Sequence, residues 1–317
     1  MTPPSATRNV AASVHGRLRN LAHDQRADYN LMLQRYAAER FLYRLSASPE
    51  VDRFTLKGAA LFRIWTERQL RPTRDVDFLA EDRATIRTAL EAVCRTPCPE
   101  DGVVFHPETI QLDDIRHEQQ YGGLRARIRG NLGQTRLQLQ IDIGFGDVIT
   151  PEREEQDYPT LLDLPVPRLW TYPRETLVAE KLEAMVSLGT RNSRAKDLWD
   201  VASLARRFAF DGEILRTAIA QTFRRRRTSF GDERPLSLLP GYYEDAARSQ
   251  HWQVLRRQIA TDTDGPARLV DAGEELRRFL GPVYDSLLAE SPFTQVWPPG
   301  GPWQPEMQAP TEGEGGD

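Results

Sequence analysis

The chain has 317 residues, 39% hydrophobic and 28% charged, with 42 basic against 46 acidic residues and a net charge of -4. That length allows one large or two ordinary domains with a full core, and the balance excludes a global positive field, so any nucleic-acid surface has to be local. Two cysteines, no histidine at zinc-ligand spacing and no apolar run near 18 residues exclude a disulfide framework, a structural zinc and a membrane span, which predicts a soluble, cytoplasmic protein with no membrane partner.

Residues 1–8 (MTPPSATR) read as disordered. Asn9 is a plausible N-cap for a helix in which Val10, Val14, Leu18 and Leu21 recur at helical spacing. A second helix over 29–46 carries Ala38, Phe41, Leu42 and Leu45 on one face, and Ser48-Pro49 ends it. His15 and His23 have no third partner and read as surface residues.

Phe54–Leu56 then reads as a strand, Lys57-Gly58-Ala59 as a turn and Ala60–Trp65 as the start of a helix. Asp75–Leu79 reads as a second strand, and alternation sends Asp75 and Asp77 to one face and Val76 and Phe78 to the other. Two carboxylates about 7 Å apart along a strand repel each other, and a divalent cation between them reverses the sign. Gly58 permits a sharp turn that brings backbone amides toward an anion. Against this stands the plain reading of D-x-D as a surface strand.

The wording KGAALFRIW…RPTRDVDFL resembles the KGG-A-L…R-x-T/S-R-D-x-D-F block of the abortive-infection AbiEii-type nucleotidyltransferase toxins, within the superfamily shared with polymerase beta. It departs from that block at Ala59, where glycine or serine is more usual. The resemblance implies that Lys57, Gly58, Ala59 and Arg74 border the nucleotide phosphates.

Ala84–Cys94 reads as a helix closed by Pro97 and Pro99, and 103–117 as strand with a polar excursion. Leu124–Arg129 and Leu137–Ile143 alternate on either side of a turn at Gly130–Gly133, a hairpin signal. Asp142 then shares the polar face with Gln138 and Gln140, and is the candidate third metal carboxylate; the resemblance to the superfamily implies that this third acid also sits near the attacking hydroxyl and helps deprotonate it. Arg125, Arg127 and Arg129 are either a solvated strand face or guanidinium groups for RNA phosphates. Pro151–Pro167, acidic and irregular, marks the expected boundary between lobes.

From Pro173 a helix runs to Leu188 with Val178, Leu182 and Met185 inward and Lys181 on the flank. The stretch ETLVAEKLEAMVSLG…RNSRAKDLWDVASL resembles the second signature of the same family, E-K-L…R…K-D-x-x-D. It implies that Lys181 neutralises the leaving pyrophosphate, that Arg191 and Arg194 contact phosphates, with Lys196 a weaker candidate, and that Asp197, or else Asp200, belongs to the active site. Further helices are expected near 213–224, 248–260 and 268–289, with Gly281-Pro282 kinking or splitting the last. Arg224, Arg225, Arg226 and Arg227 form the strongest local basic run, either solvated or RNA-binding. Residues 291–317 are Pro/Gly-rich with an acidic end, and only Trp297 and Trp303 are expected to pack back.

Together these readings predict an α+β protein: a mixed nucleotidyltransferase sheet flanked by helices over 9–165, a mainly helical C-terminal lobe over 166–290 and a largely disordered tail. Asp75, Asp77 and Asp142 would hold Mg²⁺ or Mn²⁺, with an NTP as substrate. The resemblance implies a toxin that adds nucleotides to the 3′ acceptor end of tRNA and blocks translation, with a cognate antitoxin. Phosphorylation of Thr73, two residues before Asp75, would silence it. Two alternatives stay open: the same fold acting on a small hydroxyl compound, or a non-catalytic RNA- or protein-binding module.

Overall fold

Strands of alternating burial and helices of one apolar stripe build this chain in two separate units. The computed structural model describes residues 9–66, 75–115, 122–191, 194–259 and 265–306. One unit takes 1–147 and 153–172; the other takes 148–152 and 173–317.

The first unit opens with α1 (Val10–Asp24) and α2 (Tyr29–Ser46), each started by a side-chain cap. Asn9 accepts the amide of Ala12, and Asp28 that of Leu31. There follow β1 (Phe54–Lys57), a single 3-10 turn over Gly58–Ala60, α3 (Leu61–Thr66), β2 (Asp75–Ala80) and α4 (Ile86–Arg95). Long strands β3 (Val103–Ile115), β4 (Gly123–Leu132) and β5 (Thr135–Phe145) come next, then short β6 (Glu154–Asp157) and β7 (Arg168–Thr171). They form one seven-stranded sheet in the order β3-β4-β5-β2-β1-β7-β6, with parallel pairs β2/β5 and β1/β7 and antiparallel pairs elsewhere.

The core face of this sheet carries Val76, Phe78, Leu139, Ile141 and Ile143, all at most 3% exposed, and α2 packs against β5 and β7. Arg44 on α2 is buried with Asp101, its Nη1 2.9 Å from Oδ2, and also donates to the carbonyls of Arg40 and Val103. Each buried polar atom there has a partner, which such a pair requires to be tolerated.

In the second unit, α5 (Arg174–Leu188), α6 (Ala195–Arg207), β8 (Phe210–Asp211), α7 (Gly212–Arg226), α8 (Ala246–Gln258) and α9 (Leu269–Leu288) precede β9 (Gln295–Trp297) and β10 (Gln304–Pro305). Trp199, Trp252, Phe279 and Trp297 are each no more than 1% exposed and centre its core.

Several expectations change. The stretch read as an irregular boundary, 151–167, contains β6, and β7 follows it to join the first unit's sheet beside β1. His15, expected at the surface, is half-buried: its Nδ1 lies 2.5 Å from the Tyr29 hydroxyl and its Nε2 3.3 Å from the Leu132 carbonyl oxygen, joining α1 to α2 and the sheet. Of the two outcomes expected at Gly281-Pro282, a kink or a split, the split does not occur: one helix runs from Leu269 to Leu288 with Pro282 inside it. Part of the tail expected to be disordered is structured: β9 pairs with β8 and β10, and the Trp303 indole donates to the Phe279 carbonyl at 2.7 Å.

Candidate active site

The alternation of β2 leaves Asp75 and Asp77 half-buried on the face opposite Val76 and Phe78. Register then builds a row across the sheet. Lys57 on β1 is the partner of Asp77, Asp77 of Asp142 on β5, Asp142 of Arg125 on β4, and Arg125 of Asp113 on β3. Cross-strand partners share a face about 4.8 Å apart, so charges of alternating and like sign are stacked side by side. Asp75 stands one step away in the neighbouring row, opposite Gln140 and, beyond it, Arg127.

Arg125 governs the electrostatics. It grips Asp142 with both prongs, Nε to Oδ1 at 2.8 Å and Nη2 to Oδ2 at 2.7 Å. Its pKa is raised first by that hydrogen bond and further by the charges of Asp142, Asp75 and Asp77. One guanidinium therefore feels all three carboxylates. At an effective dielectric near 20, like charges 4 Å apart repel by about 4 kcal/mol, and Arg125 offsets that repulsion.

On the other flank, Lys57 Nζ lies 3.1 Å from Asp147 Oδ2, 3.5 Å from the Tyr172 hydroxyl and 5.1 Å from the Tyr172 ring centroid. Gly58 follows with φ +71°, and a Cβ built there would meet the Asp77 Cγ at 2.7 Å. The sequence assigned this glycine to the approach of a phosphate. The structure adds a second reason: the space a side chain would need holds the Asp77 carboxylate. Ala59 begins the turn into α3 and is buried.

Hard carboxylate oxygens on one face suit Mg²⁺ or Mn²⁺, which can bind through one or two carboxylates plus substrate phosphates. Among the described residues no three ligating side chains stand ready-assembled. Asp142 is in register with Asp77 and turned to Arg125. Asp75 and Asp77 fit the role of first ligands, and Asp142 fits once Arg125 releases it.

The second unit holds the other predicted group. Lys181 on α5 does not ride on a rim in water. It is 8% exposed, with Nζ 2.7 Å from Asp197 Oδ1 and 2.8 Å from Asp200 Oδ2, both on α6. Arg194 stands 3.8 Å from Asp197 and is exposed, as is Lys196. Arg191 ends the turn Gly189–Arg191, and its side chain lies outside the described residues, as do Thr73 and Arg74.

The arginine candidates separate. Arg127 pairs with Asp113, and Arg129 is exposed. In the basic run, Arg226 turns inward to Glu180 at 3.2 Å and Glu183 at 2.8 Å, so it is a structural ion pair rather than an open contact for RNA. Arg224, Arg225 and Arg227 are exposed. Sequence reasoning missed Asp147 and Tyr172 as neighbours of Lys57, and Arg125 as the partner of the third acid. The turn Gly144-Phe145-Gly146 directly before Asp147 was the available signal for the first.

A mixed sheet that aligns three carboxylates beside a glycine turn is a scaffold for metal-assisted chemistry on phosphates. The nucleotidyl transferase AbiEii toxin family, of a type IV toxin–antitoxin system, matches residues 40–281, and the chain belongs to that family of nucleotidyltransferases. No curated protein matches it. Among solved structures it is similar to JHP933 from Helicobacter pylori at 14% identity and a TM-score of 0.47, covering 83% of this chain and 95% of that one. A second H. pylori chain, provisionally described as a nucleotidyltransferase, is also 14% identical with a TM-score of 0.47, covering 84% of this chain and all of the other.

Proposed function

We propose that this protein transfers nucleotides from an NTP to the 3′ acceptor end of tRNA, and that translation stops as a result. The observation that carries the reading is the row Lys57–Asp77–Asp142–Arg125, with Asp75 beside it, on one sheet face. A polymer acceptor needs cations for its phosphates beyond those that hold the nucleotide, and Arg125, Arg127 and Arg129 lie on β4 beside the acids.

In this reading Asp75, Asp77 and Asp142 hold a divalent ion, which when bound neutralises charge on the reacting phosphates. Lys57 and the turn at Gly58 border the triphosphate. The acceptor hydroxyl attacks the α-phosphorus in line, a new P–O bond forms, the bond to the β-phosphate bridging oxygen breaks, and pyrophosphate leaves. Asp142, released from Arg125, accepts the hydroxyl proton. Lys181 is assigned to the charge of the leaving pyrophosphate, on the strength of the family block around it. The family also implies a partner antitoxin that silences the activity.

Incubating the protein with total tRNA and each labelled NTP tests this directly. We expect metal-dependent label at tRNA 3′ ends and none with Asp77→Asn. Label only on small hydroxyl compounds would replace the acceptor, and no metal-dependent transfer to anything would leave a binding module.

A further inference from the structure

Beside the candidate active site is a cavity of roughly 430 Å³, open mouth included, bordered by Arg35, Arg63, Tyr158, Ala59, Ala60 and Asp75. Two arginines from different helices, α2 and α3, face the same space. Arg63 donates from Nε and Nη2 to the carbonyls of Pro159 and Thr160, at 3.0 and 3.3 Å. Among the described residues Arg35 reaches only the Met32 sulfur, at 4.0 Å, and its buried Nε has no hydrogen-bond partner. Among the described residues neither arginine forms an ion pair with a carboxylate. The nearby acid Glu39 is already engaged by Arg40 at 2.8 Å and by the Leu161 amide at 2.5 Å.

A guanidinium is expensive to withdraw from water unless an anion meets it, and two together are more so. The strain registers on Arg35, whose pKa is lowered to about 10 by burial and then by the charge of Arg63. Tyr158 on the same wall is pushed up to about 12 by burial, so its hydroxyl keeps its proton and can donate. Five N–H donors per arginine in a planar fork match phosphate oxygens.

We propose that Arg35 and Arg63 form a phosphate subsite next to Asp75, taking a phosphate group carried by the NTP tail or by the acceptor backbone. Arg63 lies within the stretch matched by the family, 40–281, and Arg35 just before it. The subsite deepens the transfer reading and rests on it for its role, but its binding can be measured without turnover.

The test is calorimetry in EDTA with two probes: inorganic tripolyphosphate, and an oligoribonucleotide without terminal phosphates. Wild type should bind at least one of them, Arg35→Gln should bind it about tenfold or more weakly, and Arg35→Lys should fall between. Competition by ATP assigns the subsite to the nucleotide tail; competition by the oligonucleotide alone assigns it to the acceptor. Circular dichroism melts check folding, and if Arg35→Gln melts early the comparison with Arg35→Lys decides. Equal affinity of wild type and a folded variant for both probes, or no binding of either by wild type, overturns the subsite. Arg35-dependent binding in a protein that transfers no nucleotide would instead keep the subsite and remove the transferase reading.

Discussion

Asp77 on β2 and Asp142 on β5 are direct partners in parallel register, and Asp142 is gripped by both prongs of Arg125. Arg125 thus supplies Asp142 with positive charge, and in the proposed site a divalent ion would compete with it for that carboxylate. Arg125→Ala should bind Mn²⁺ several-fold to about tenfold more tightly by calorimetry, since a nearby cation disfavours the metal by about 1 kcal/mol or more. If Arg125 also meets an acceptor phosphate, the same variant transfers less despite holding metal better. Unchanged or weaker metal binding would show that Arg125 is no competitor.

Gly58 is held at φ +71° with the Asp77 carboxylate filling the space of its missing side chain. Gly58→Ala therefore meets two penalties, a left-handed backbone worth about 1–3 kcal/mol and a contact that displaces a candidate ligand. Urea unfolding should show the first and loss of metal binding the second. A variant with wild-type metal affinity would mean that Asp77 shifts without consequence.

What could be read in advance depended on distance along the chain. The D-x-D strand and the position of Asp142 follow from period-two alternation, which is local. The arginine that faces Asp142 depends on register, and register depends on the turn. The wording suggested a turn over Gly130–Gly133, whereas Leu132 pairs with Thr135 and the chain reverses at Gly133-Gln134, with Gly133 at φ +57°. That shift selects Arg125. The parallel pairing of β7 with β1 and the enclosure of Lys181 are contacts between distant segments, and no local pattern carries them. Asp200 illustrates the same limit. The family block left open whether Asp197 or Asp200 belongs to the site, and only the packing shows Asp200 1% exposed and bound to the same ammonium of Lys181 as Asp197.

Lys181 answers to two carboxylates, so its removal should damage the fold as well as the chemistry. Lys181→Met takes from buried Asp200 the ammonium that pairs with it and should cost about 3–5 kcal/mol in denaturant unfolding. Adding Asp200→Asn removes the buried charge and should recover much of that stability. Transfer should stay down by roughly 10²–10³-fold in the double variant if the ammonium stabilises developing charge. Recovery of activity together with stability would make Lys181 a purely structural cation.

Glu39 offers a test by pH that does not involve the acids of β2 and β5. Burial pushes its carboxyl from 4.5 up to about 7, while Arg40 and the Leu161 amide pull it back. Between those two values the folded chain holds a proton that the unfolded chain has released. Stability from this group is therefore complete below about pH 4.5 and is lost as pH rises through 7. A shift of this size corresponds to a few kcal/mol at most, on the order of 1.4 kcal/mol per unit. Glu39→Gln should flatten this fall in unfolding free energy between pH 5 and 7.5, measured by urea melts across that range. Because Arg40 loses its charged partner in that variant, its stability at pH 8 should lie below wild type even as the slope disappears. Parallel curves for the two proteins would mean that the carboxyl ionises normally, and that the pairing with Arg40 outweighs burial.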